Sequence, residues 1–151
     1  MKQAILGAMA VFAAVAWGVA QAEAPAVGSV VAVRQAGFGM MYGAWQNMRA
    51  GVAAKADPNN FVLAAQGIAA FGHQIPGLFP PGSGVGRTGF ESIYKERTEF
   101  EKAAAMLAAA GEAVAKAGRA GDAAAFAASV KMLTESCAGC HTKKFADNWF
   151  K

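Results

Sequence analysis

Apolar residues recur along this chain every three to five positions, the spacing of helices that bury one face. In the first such stretch Val30, Val33, Phe38, Met41, Trp45 and Met48 form the apolar stripe, Arg34, Gln46, Asn47 and Arg49 are among the polar positions, and Gly28-Ser29 offers an N-cap. The second opens at Asp57-Pro58, an N-cap followed by a proline whose missing N–H costs nothing at the first helical position. It runs through Phe61, Ala65, Ile68 and Phe71 and ends before Pro76. A third follows the capping-box pair Thr88 and Glu91, with Phe90, Ile93, Phe100, Ala104, Leu107 and Val114 inward for about eight turns. Gly121-Asp122 stops that helix and caps a fourth, whose inward stripe is Phe126, Val130, Leu133, Cys137 and Cys140.

Pro76 to Gly89 is too rich in proline and glycine for a helix, and is the one connection long enough to cross a bundle. Short links make helices one and two, and helices three and four, antiparallel. The fold class expected is all-α, an antiparallel four-helix bundle. Alanine runs such as 103–110 and 123–128 belong to the scaffold, since alanine has the highest helix propensity and lets helices approach closely.

Composition narrows this picture. With 55% hydrophobic and 16% charged residues in a chain of 151, disorder is excluded. Part of that hydrophobicity is local. Met1-Lys2-Gln3 is followed by an apolar run from Ala4 to Ala20 and by Ala20-Gln21-Ala22, the small-residue pattern of a secretory cleavage site. The run falls short of the roughly 20 residues that span a bilayer. Residues 1–22 are therefore expected to be a cleaved signal and residues 23–151 the domain, periplasmic and with no stable membrane insertion after cleavage. The signal holds one lysine and no acid, so cleavage lowers the net charge from +4 to +3. That mild charge, with no basic run, leaves no footprint for nucleic acid.

In an oxidising compartment a cysteine pair needs an explanation. Residues 137–141 read Cys-Ala-Gly-Cys-His, the attachment sequence for covalent haem. On a helix Cys137, Cys140 and His141 project from one side, so two thioethers can fix the porphyrin edge while the imidazole reaches its iron. The competitors lack support. A zinc site wants four ligands and only His73 remains; a thioredoxin-type pair wants a βαβ context; a disulfide leaves His141 unexplained. One covalently attached haem c near the carboxyl end, inside the bundle, is the cofactor expected.

With the haem motif so late in a bundle, residues 29–151 resemble the class II cytochromes c, specifically the cytochrome c-prime group. Arg34-Gln35, Pro76-Gly77-Leu78-Phe79, Pro81-Gly82-Ser83 and Ile93-Tyr94 carry the same resemblance. It implies that His141 is the proximal iron ligand, that Cys137 and Cys140 are the thioether attachments, and that Arg34 and Gln35 hydrogen-bond a haem propionate. Three and four places after the histidine the family has an aromatic and then a cation; here Lys144 and Phe145 stand in reversed order, and Lys144 is the nearest substitute for the cation.

The resemblance also places Phe38 over the second face of the iron. A phenyl ring cannot ligate, so the iron is expected to be five-coordinate and sterically covered, suited to a small diatomic gas such as nitric oxide and to single-electron exchange. The alternative is a low-spin electron carrier with Met41, one turn beyond Phe38, as sixth ligand. Met40 points about 100° away from Met41, and His73 is expected to be exposed. A peroxidase would need a polar acid–base group where the stripe supplies Phe38, Met41 and Trp45, so no enzymatic activity is expected. The resemblance implies a homodimer through helices one and two, with Tyr42, Gly39 and Gly43 beside the inward stripe. The redox partner is not specified by the sequence.

Overall fold

In the computed structural model, which describes residues 27–84, 90–141 and 145–146, the first helix, α1, spans Val27–Ala53. A 3-10 turn, Pro58–Phe61, leads into α2, Val62–Gln74. A second 3-10 turn, Ile75–Leu78, opens the proline-rich connection. Then come the single-turn α3, Ser92–Lys95, the long α4, Arg97–Ala120, and α5, Ala123–Cys140. The expected signal, residues 1–22, lies outside the described residues, as do Thr88 of the capping box and Lys144.

Two helix ends form as the sequence dictates. The Asp57 carboxylate accepts a hydrogen bond from the Asn59 N–H at 2.9 Å, and that of Asp122 accepts one from the Ala125 N–H at 2.9 Å, each satisfying an otherwise orphaned donor. Between α4 and α5, Gly121 adopts φ 64°, a left-handed conformation that a side chain disfavours. Two other ends depart from expectation. Helix α1 is already formed at Val27, so Ser29 lies within it and is not its cap. The expected third helix is two elements, because Glu96 leaves the helical region (φ −113°, ψ 47°). Ile93 and Phe100, both buried, are seven residues apart and keep one face through that break, which is why periodicity does not reveal it.

Helices α1, α2, α4 and α5 close into a four-helix bundle in which α2 packs against α1 and α4, and α5 against α4 and α1. The long connection therefore joins neighbours and does not cross the bundle. Contacts fix the antiparallel order: Gly37 meets Phe71 and Gly51 meets Phe61 across α1 and the second segment, and Gly72 meets Ala108 while Gly111 meets Ala69 across α2 and α4. The core is a continuous cluster including Met48, Ile68, Leu107, Val114, Phe126 and Leu133, each large side chain contributing about 1.5–3 kcal/mol by leaving water. One expected core position fails: Val33 is 55% exposed, and Arg34 occupies the inward place at 0%. Among the described residues no helix is long and apolar enough to cross a membrane.

The α2–α4 contact has no room for side chains. A Cβ on Gly111 would lie 2.8 Å from the Ala69 nitrogen, and one on Gly72 would lie 2.9 Å from the Ala108 nitrogen. Gly111→Leu is expected to destabilise the bundle by about 1–3 kcal/mol or more through overpacking. Gly67, exposed on α2 with open space where a Cβ would go, gives the opposite result on replacement by alanine, a gain of about 0.5–1 kcal/mol. Thermal denaturation of the two variants checks both signs.

Candidate functional site

A cavity of about 430 Å³ opens between α1 and the rest of the bundle, within the range of about 300–1,000 Å³ typical of ligand pockets. Helix α1 contributes Gln35, Phe38, Met41, Tyr42 and Trp45 to its wall; α5 contributes Leu133, Ser136, Cys137 and Cys140, with His141 next to them. Ile68, Ile75, Phe79, Ile93, Phe100 and Leu107 complete an apolar lining. Trp45, 5% exposed, ties the two main walls together by donating its Nε1–H to Thr134 Oγ1 at 2.9 Å.

The last turn of α5 presents the chemistry. His141 is the C-cap residue, its N–H donating to the Cys137 carbonyl at 3.2 Å. Both thiols are half-buried and are not joined to one another. Burial, and secondarily the charge of the neighbouring Cys140, push the Cys137 thiol up to about 11, and burial raises that of Cys140 as well. Both therefore remain neutral thiols at neutral pH, compatible with the apolar wall they belong to. Two thiols and an imidazole on one edge of an apolar, aromatic-lined cavity match the donor set of a covalently held haem. Cys137 and Cys140 would hold its edge and His141 its iron.

On the α1 side, Phe38 is half-buried. Its ring meets Phe71 edge-on at 5.3 Å between centroids and Phe79 at 6.4 Å. Met41 is half-buried and lines the same cavity, whereas Met40 is 77% exposed and takes no part in it. His73 is exposed, paired with Glu112 at 3.1 Å, and away from the cavity lining. Gln35 sits exposed at the cavity's edge.

Arg34, expected from the resemblance to hydrogen-bond a haem propionate, is bound within the protein to a neighbouring turn. It is not a solvated surface charge, and it does not line the cavity. Its Nη1 donates to the Leu78 carbonyl at 3.2 Å and to Ser83 Oγ at 3.1 Å, and its Nη2 donates to the Ser83 carbonyl at 2.7 Å. The signal for this inward placement was spacing. Val30, Arg34, Phe38, Met41, Trp45 and Met48 follow the regular four-and-three rhythm of a helical stripe, which Val33 interrupts. Also unforeseen were Ile75, Phe79 and Phe145 in the cavity wall. Phe145, 5% exposed, packs against Phe100 at 5.5 Å.

Comparison with known proteins agrees with this geometry. A family model for cytochrome c' matches residues 29–145. The structure is similar to that of cytochrome c' from Thermochromatium tepidum, at 23% identity and a TM-score of 0.75 over 82% of this chain and 98% of that one. It is also similar to a cytochrome c' with an unusual ligand-controlled dimer dissociation, at 23% identity and a TM-score of 0.74, covering 83% of this chain and 100% of the other. Cytochrome c' from Rubrivivax gelatinosus shares 26% identity at a TM-score of 0.71, over 80% and 97% of the two chains. No curated protein sequence matches this chain.

If Cys137 and Cys140 hold the cofactor, acidified organic solvent will leave a haem chromophore on the polypeptide. The Cys137→Ala/Cys140→Ala double variant is expected to lose it completely, as read by absorbance after gel filtration in denaturant.

Proposed function

Because the chain belongs to the cytochrome c' family, whose members carry one covalently attached haem c, we propose that it is an exported, periplasmic haem protein with a five-coordinate iron. It binds small diatomic gases, nitric oxide foremost, and exchanges single electrons. Haem held here supplies an iron that binds one gas molecule or changes charge by one electron. Cys137 and Cys140 would supply its two thioether anchors and the His141 imidazole its iron ligand, with a crowded apolar wall on α1 beside them.

The observation that carries this reading is Phe38. Its ring lines the cavity from α1, wedged among Phe71 and Phe79. A phenyl group has no lone pair to offer a metal, and it provides no hydrogen bond that would hold dioxygen. A ligand therefore has to displace the ring, which selects for one that binds iron strongly. The same wall carries Met41 and Trp45 where an acid–base catalyst would have to stand. The protein thus acts as a carrier or gas binder and not as an enzyme.

The second reading, a low-spin electron carrier, rests on Met41, which is half-buried in the same wall. The two part clearly in optical spectra. The ferric protein is expected to be high-spin, and Met41→Ala to leave its spectrum unchanged; a low-spin spectrum that Met41→Ala abolishes would establish the carrier. Phe38→Ala is expected to raise carbon monoxide affinity at least about tenfold, equivalent to about 1.4 kcal/mol of relieved crowding.

The chain also forms a homodimer through α1 and α2 under this proposal. Val33, Met40 and Tyr42 on α1 and Leu63 on α2 are large apolar or aromatic side chains left exposed, and one of the similar structures is of a protein described with a dimer. Sedimentation is expected to give twice the chain mass, and Leu63→Glu with Met40→Glu to reduce it to the monomer.

A further inference from the structure

We infer that Arg34 is a positioning residue for Phe38: it seats the turn that carries Phe79, and through Phe79 it sets how firmly Phe38 closes the α1 wall of the cavity. This rests on the gas-binding reading above and adds a residue to it.

Among the described residues, Arg34 is the only charged side chain in the buried interior, and Ser83, which it contacts, is equally inaccessible. A guanidinium is costly to bury, so its hydrogen bonds have to be good. They converge on one short piece of chain, reaching the Leu78 carbonyl and both oxygens of Ser83. Ser83 Oγ lies 3.2 Å from the Tyr94 hydroxyl, which extends the network to α3. On the other side of the turn, Arg97 of α4 donates to the carbonyls of Phe79 at 3.0 Å and Pro76 at 2.7 Å.

The sequence of the turn explains why two arginines are needed. Pro76, Pro80 and Pro81 have no N–H, so the segment can bond little of itself, and its inward carbonyls require donors from elsewhere. The Phe79 ring, 4% exposed, lies under the Arg34 guanidinium, whose Cζ is 4.4 Å from its centroid. Phe79 packs edge-on against Phe100 at 5.1 Å and faces Phe38 at 6.4 Å. Arg34 is one helical turn before Phe38 on α1, so a single helix carries both the covering ring and the group that fixes its support.

The test uses the haem-loaded protein with para-fluorophenylalanine at position 38, in the parent, in Arg34→Lys and in Ser83→Ala. Lysine keeps the charge but cannot reach three acceptors with a planar fork. Ser83→Ala leaves Arg34 in place and removes one acceptor, and it decides the matter alone should Arg34→Lys fail to fold. Expected are a shifted or broadened Phe38 fluorine resonance in each variant and faster carbon monoxide association by about two- to thirtyfold, the range in which remote positioning residues act. A purely structural role would lower the melting temperature and leave both readouts at parental values, which overturns the inference; so does a moved resonance with an unchanged rate in a five-coordinate protein. A six-coordinate parent spectrum would instead refute the gas-binding reading, and the fluorine resonance would still judge whether Arg34 holds Phe38.

Discussion

The closeness of α2 and α4 governs the rest of the bundle. Where Gly72 lies against Ala108, and Gly111 against Ala65 and Ala69, the two backbones meet with no side chain between them. Helix α1 is held differently, by Phe38, Met41, Trp45 and Met48, whose bulk keeps it at a distance from the other helices. The bundle is thus tight on one side and open on the other, and the cavity lies on the open side. A bundle with evenly sized side chains on every seam would close to native density and leave no such space.

Polar groups then decide how the open side is held. Trp45 and Thr134 connect α1 to α5 by one hydrogen bond, and Arg34 connects α1 to the proline-rich turn. Rings from α1, the turn, α4 and the segment after α5 meet in succession, Phe38 with Phe79, Phe79 with Phe100, and Phe100 with Phe145. Neighbouring rings in tilted and edge-on contact resist displacement through shape and not through charge.

Much of this was legible in the residues. The four helices, the Asp57 and Asp122 caps, the Gly121 stop and the Cys137, Cys140 and His141 cluster follow from local rules of spacing and capping, and these operate within a few residues. What escaped depends on distant partners. Arg34 reads as a partner for a haem propionate, and nothing near it in the chain tells that Ser83, 49 positions away, receives it. Val33 looks like core for the same reason, since the stripe must shift by one to admit a buried cation. The break at Glu96 comes between two residues in phase with one another, and Phe79 and Phe145 sit in irregular segments where periodicity has no meaning.

The position of the haem-binding cluster on the final turn of α5 has a temporal consequence. Synthesis runs from α1 towards α5, so every described residue of the cavity wall except Phe145 and Ala146 precedes Cys140 and His141 off the ribosome. The helices α2 and α4, whose glycine seam makes no use of Cys137, Cys140 or His141, are both complete in the chain by then. Cys137, Cys140 and His141 are thus among the last cavity residues to be synthesised, after both helices of the glycine seam.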